Sequence, residues 1–122
     1  MSGLSSKGEL TVLASILTEC YVSLHNADPG DTGAAEVATG GYARQGPAPF
    51  APSGGNPTVA SNSSIVAYGT ALADWGTIAD FGLWDAIVGG NFQGSGALDV
   101  PRAVLSGDTV RFLVGALKLT AD

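Results

Sequence analysis

Cysteine, charge and cationic residues are all scarce in this sequence, and each shortage excludes something. There is one cysteine, Cys20, among 122 residues. A single thiol builds neither a disulfide framework nor a cysteine zinc cluster, and it suits a reducing cytoplasm. Charged residues make up 13% of the chain, well under the ordinary ~25%, while hydrophobic residues make up 45%. A disordered chain shows the opposite balance. Five Lys and Arg stand against eleven acids, a net charge of −6. Those five (Lys7, Arg44, Arg102, Arg111, Lys118) include no adjacent pair. The cationic stripe that tracks nucleic-acid phosphates is therefore missing. No apolar run approaches the ~20 residues of a membrane span. The longest near the start, Leu10 to Leu17, is interrupted by Thr11 and Ser15 and bracketed by Glu9 and Glu19. It also lacks the basic start and small-residue cleavage site of a secretion signal. The expectation is a chain made and kept in the cytoplasm of its producing cell until assembly or release, with no nucleic-acid or membrane partner.

Glycine is abundant instead. The eighteen glycines have no three-residue period, so the chain is not collagen-like. With six prolines they punctuate short apolar stretches. Ser6-Lys7-Gly8-Glu9 has the form of a capping box, and Leu10, Leu13, Ala14 and Leu17 follow at helical spacing. A helix is expected from Ser6 to Thr18, weakened by Gly8. Residues 1–19 then form an amphipathic N-terminal arm, and residues 20–122 a single β domain.

From Cys20 onward the period is two. Cys20, Val22 and Leu24 share one face, and Tyr21, Ser23 and His25 the other, as in a half-buried strand. Asp28-Pro29-Gly30-Asp31-Thr32-Gly33 is a turn. Glu36 to Gln45 reads as two short strands around a glycine break. Residues 46–57, with four prolines and three glycines, read as a surface loop without regular structure. Ser64 to Tyr68 is a short β-prone run. In Trp75 to Trp84 the set Thr77, Ala79, Phe81 and Leu83 forms the more apolar face, and Gly82 suggests a bulge or a close backbone approach. Asp85 to Asn91 is a hairpin loop, Phe92 to Leu98 a glycine-laced strand and Pro101 to Leu105 a further extended segment. After the Ser106-Gly107-Asp108 turn, Val110, Phe112 and Val114 alternate. Ala116 to Thr120 closes the domain. About seven or eight short strands with regular turn signals predict an all-β fold, a β-sandwich or jelly-roll-like barrel.

Reactive chemistry has little support. Any Ser-His-Asp triad must use His25, the only histidine, and no G-x-S-x-G elbow accompanies it. A strand-end surface or packing role is the stronger reading. Asp28, Asp31 and Glu36 do not have the spacing of a calcium loop. Asp80 and Asp85 are a carboxylate pair without a substrate-cleft signature. Cys20 lies on an apolar face and reads as an inert buried thiol. The glycine pairs at 40–41, 54–55 and 89–90 lack the strand–loop–helix setting of a phosphate cradle. No catalytic residue, cofactor or metal is expected. Trp75, Phe81, Trp84 and Phe92 are either a sugar platform or core aromatics, and core packing is favoured. Arg44, beside Tyr42 in Gly-Gly-Tyr-Ala-Arg-Gln, either braces a carboxylate or stacks on a ring, or is an exposed strand charge.

Four segments in order suggest a family. They are Tyr21 to Gly30 (YVSLHNADPG); Glu36-Val37 with Gly40 to Gln45 (GGYARQ); Trp75-Gly76-Thr77-Ile78 with Phe81 to Ala86 (FGLWDA); and Gly96-Ala97-Leu98 leading through Pro101 to Gly107-Asp108-Thr109. Together they resemble small virion proteins of tailed bacteriophages and prophages, usually labelled tail fibre or minor tail protein. The resemblance implies a β-rich structural module of the virion, with other virion proteins as partners and neither enzymatic activity nor a cofactor. It also implies assembly in the host cytoplasm and a homo-oligomer, a trimer being favoured. The 46–57 loop looks longer than the family pattern. Leu10, Leu13 and Leu17 are the candidate intersubunit contact. Tyr42, Arg44, Trp75, Phe81 and Trp84 are the candidate structural motif residues. Capsid decoration is the alternative role, and a module binding a host-surface glycan or receptor a more distant one.

Overall fold

The computed structural model describes residues 20–48, 50–53 and 58–121. The helix expected over Ser6–Thr18, with Leu10, Leu13 and Leu17, lies outside the described residues. The described chain is all-β, with eight strands and no helix: β1 (Tyr21–His25), β2 (Phe50–Ser53), β3 (Thr58–Asn62), β4 (Val66–Thr70), β5 (Gly76–Trp84), β6 (Phe92–Val104), β7 (Thr109–Phe112) and β8 (Lys118–Ala121). They form three antiparallel sheets, ordered β1-β5-β6, β2-β3-β8 and β4-β7.

The sheets share one core. β1 contributes Val22 and Leu24, β5 Ile78, Phe81 and Leu83, and β7 Val110 and Phe112; Phe50, Ala60 and Leu119 come from the β2-β3-β8 sheet. Two strands depart from simple alternation for identifiable reasons. In β5 the register slips between Ile78 and Asp80. The extra residues are on β6, where Ala97 to Arg102 span the two steps from Asp80 to Ile78, and Ile78 is buried as Phe81 and Leu83 are. In β1 both faces are buried, so Ser23 and His25 are as enclosed as Val22 and Leu24. The cause is the segment after the strand. It runs back along β1, pairing Glu36 with His25 and Gln45 with Val22, and it adds hydrogen bonds from Val37 N to Leu24 O and from Ala48 N to Cys20 O.

Several sequence expectations need correction. Glu36 to Gln45 is not two strands but two single pairings around a turn in which Gly40 and Gly41 take positive φ of 66° and 76°. The 46–57 stretch contains a strand, β2. Phe50 is buried and stacks on Phe81 at 6.2 Å, and burying that ring outweighs the neighbouring prolines. Pro52 is tolerated because β2 is at its sheet's edge. β3, rich in small polar residues, had no clear signal and is set by its pairing with β2 and β8. The two segments expected over 92–105 are one strand, β6, with Pro101 again in an edge strand. Gly82 pairs regularly with Ser23 and Ser95 rather than forming a bulge, and what crowds it is side chains. A Cβ there would lie 2.5 Å from Ser23 Oγ and 2.8 Å from His25 Nε2. Alternation on β7 stops at Phe112, and Val114 is exposed.

Candidate functional site

The polar residues of the fold converge where β1, the end of β5 and the returning 34–45 segment meet. Arg44 is at the centre, buried although charged. Its Nε and Nη2 donate to Glu36 Oε2 and Oε1, both at 2.9 Å. Its Nη1 donates to the carbonyls of Ala86 and Gly89 at 3.0 and 2.8 Å. The guanidinium carbon lies 3.7 Å over the Trp84 ring centroid. One side chain thus clamps a carboxylate, covers an aromatic face and ties down the 85–91 loop, a combination suited to the planar, five-donor guanidinium.

Glu36 also accepts from the Tyr42 hydroxyl at 2.8 Å, and that hydroxyl accepts Leu24 N–H at 3.0 Å. Burial works to raise the Glu36 carboxyl. The hydrogen bonds from Arg44 and Tyr42, with the Arg44 charge, outweigh it and hold the group below its usual range. Burial, against the Leu24 hydrogen bond and with the Glu36 contact, drives the Tyr42 hydroxyl well up.

Beneath this clamp runs a second chain of hydrogen bonds. Trp84 Nε1 donates to Ser23 Oγ at 2.9 Å, Ser23 Oγ is 2.7 Å from His25 Nε2, and His25 Nδ1 is 2.7 Å from Ala34 O. A carbonyl only accepts, so Nδ1 carries the ring proton and Nε2 accepts from the Ser23 hydroxyl. Burial is the main cause holding His25 below its ordinary pKa, against the Ala34 bond and the Glu36 charge. A serine hydroxyl 2.7 Å from an imidazole has the spacing of a nucleophile and its base. The surroundings do not complete it. The far nitrogen meets a carbonyl rather than a carboxylate, both side chains are fully buried, and the Gly82 backbone sits against them. There is no room for a substrate carbonyl at Ser23.

The other candidate groups do not converge. Asp28 Oδ1 accepts Gly30 N–H in its turn, and Glu36 faces Arg44, so the acids of 28–36 share no centre. Among the described residues no three His, Cys, Asp or Glu side chains are placed to hold a metal. Asp85 closes its own loop through Asn91 N and Nδ2 at 2.6 and 2.9 Å, and those bonds hold its carboxyl below the usual range. Burial chiefly, then the Asp28 charge, raises Asp80. Cys20 is buried, gives its thiol to Ala48 O, and is pushed up to about 11 by that burial. Trp75 donates from Nε1 to Gly40 O and packs against Tyr42 and Tyr68 at 5.5 and 6.3 Å. Phe81 is fully buried.

A groove of about 380 Å³ runs beside the clamp, between Glu36–Arg44 and the loop residues Ile87 to Gly89. Ile87 and Val88 stand exposed on that loop. The Ser23–His25–Trp84 chain had no sequence signal, because it needs three strand positions brought together by the pairing of β1 with β5. The Tyr21↔Trp84 and Ser23↔Gly82 register does this.

The family model for podophage GP4 fiber I protein gp80 matches residues 11–120. The chain belongs to this fibre-protein family. Its match takes in all the described residues but Ala121, so the Arg44 clamp and the Ser23–His25 chain lie within the matched region. No curated protein matches the chain.

Proposed function

We propose that this chain is a structural, non-enzymatic module of the tail fibre, or a minor tail component, of a tailed-bacteriophage virion, assembled into the particle in the host cytoplasm. The family match over residues 11–120 carries the reading. The polar core supports it. The groups best suited to chemistry, Ser23, His25, Glu36 and Arg44, hydrogen-bond to one another and to backbone carbonyls. Such a network fixes a shape, and a fibre component works by holding a shape under load. Immunogold labelling of purified particles with an antibody against this chain tests the proposal. Gold at the tail is expected. Gold spread over the head shell makes the chain a capsid decoration protein instead, and absence of label from intact and disrupted particles removes it from the virion.

Its partners are then other virion proteins and further copies of itself, with a threefold arrangement favoured. The apolar stripe Leu10, Leu13 and Leu17 is the proposed contact with a neighbouring subunit. Replacing all three with Ser is expected to weaken assembly while thermal unfolding of the isolated chain stays unchanged. Loss of folding in the isolated chain places the stripe in its own core and contradicts the contact.

A further inference from the structure

Four of the cationic side chains fall among the described residues. Arg44 is held by Glu36 at 2.9 Å, and Lys118 faces Asp99 at 3.9 Å. The remaining two, Arg102 and Arg111, have no carboxylate partner among the described residues, and both line one groove of about 630 Å³. Its other walls are Ala67, Thr109 and Leu113, and among the described residues no acid lines it. In a chain of net charge −6, two unpaired guanidiniums on one acid-free concavity are an exception to the surrounding field.

The strands explain how it arises. On β7, Val110 and Phe112 point into the core, which turns Thr109 and Arg111 outward. Arg111 is paired across β4 with Ala67, whose small side chain leaves the space beside it open. Arg102 comes from the exposed end of β6 and lies over the Phe112 ring, 5.8 Å from its centroid. Two planar forks from different sheets thus line one trough together with an exposed threonine and an exposed leucine.

We propose that this groove binds an acidic carbohydrate through the sugar's carboxylate or phosphate group. Guanidinium forks match either oxyanion in bidentate geometry. The trough has the volume of a small-molecule site. The Thr109 hydroxyl, which shares one hydrogen bond with Thr70 Oγ1 at 3.3 Å and keeps further acceptor capacity, and the Leu113 side chain offer the two kinds of contact a pyranose takes, hydrogen bonds from its hydroxyls and packing on its C–H face. The carbohydrate half rests on the fibre reading above; the oxyanion half rests on the groove.

The test is titration of the full chain with trigalacturonate, its methyl ester, mannose 6-phosphate and inorganic phosphate, repeated with Arg102→Gln and Arg111→Gln. Both residues are exposed, and unchanged thermal unfolding verifies the fold of each variant. Trigalacturonate or mannose 6-phosphate is expected to bind, with each substitution weakening it tenfold or more. Binding should also weaken as salt rises, since the charges are near the surface. The proposal is overturned if neither sugar acid binds, if the neutral ester or inorganic phosphate binds equally well, or if both variants bind as the parent does. The amount of chain in purified particles is read separately. A chain present in particles that binds no sugar acid refutes the groove alone; a chain absent from particles refutes the fibre reading.

Discussion

Arg44 is the residue on which most of the polar structure turns. Its partners come from three places in the chain: Glu36, the carbonyls of Ala86 and Gly89, and the Trp84 ring. Removing one side of a buried ion pair leaves the other charge uncompensated, at a cost of about 3–5 kcal/mol. Arg44→Ala is expected to lose about that much in urea unfolding, and Arg44→Lys a large part of it, because an ammonium can neither grip both Glu36 oxygens nor lie flat on the indole. A loss below about 0.5 kcal/mol, the range of an exposed pair, contradicts the clamp. His25 sets a pH dependence. Its folded pKa is below the ordinary 6.5, so below that value the unfolded chain takes up a proton that the folded chain refuses. Stability therefore falls as pH drops from 6.5 towards the folded pKa. Glu36, held below its ordinary 4.5, contributes stability above that value and loses it as pH falls through the folded pKa. Melting temperature measured from pH 7 to pH 5 should decline, and His25→Gln should flatten the decline. An equal slope in the variant would place the titration elsewhere. The sequence showed Arg44 beside Tyr42 and two glycines, but not which carboxylate it meets. Glu36 lies eight positions away, and only the turn at Gly40 and Gly41 brings it back.

At the scale of strands and sheets, legibility followed side-chain size. The strands with large alternating residues, β1, β5 and β7, were evident, since each presents a face worth burying. β3 is Thr-Val-Ala-Ser-Asn and has no such face. It exists because β2 and β8 pair on either side of it, a long-range effect that a local pattern does not contain. β2 was hidden by Pro52 and the prolines flanking the strand, which describe an edge as readily as a loop. Glycine has a different use in β6, where it brings two sheets together. A Cβ on Gly96 would lie 2.5 Å from the Lys118 carbonyl oxygen and 2.7 Å from Phe81, whereas one on Gly94 would meet Leu119 at an ordinary 3.5 Å. Backbone cannot step aside as a flexible side chain can. Gly96→Ala is therefore expected to destabilise by about 1–3 kcal/mol, the usual cost of overpacking, with Gly94→Ala within about 0.5 kcal/mol of the parent. Denaturant midpoints of the two variants decide it. Equal midpoints would mean that β6 and β8 are not so closely packed in solution.

For the whole molecule, the all-β outline read from alternation and turn spacing holds, with eight strands among the described residues; their division into three small antiparallel sheets around one core is what the structure adds. Low charge and abundant glycine fit a chain of many tight turns. What composition could not supply was the arrangement of its surface, above all the meeting of Arg102 and Arg111 from consecutive strands that belong to two different sheets. The family assignment makes the chain a fibre protein of a podophage type; the proposed role is that of a rigid part repeated a few times in a phage tail. The most direct test is the number of copies per particle, measured by quantitative mass spectrometry of purified virions against the major capsid protein. A small multiple of the tail's rotational symmetry is predicted. A copy number comparable with that of the major capsid protein, or no chain in the particle at all, would contradict it.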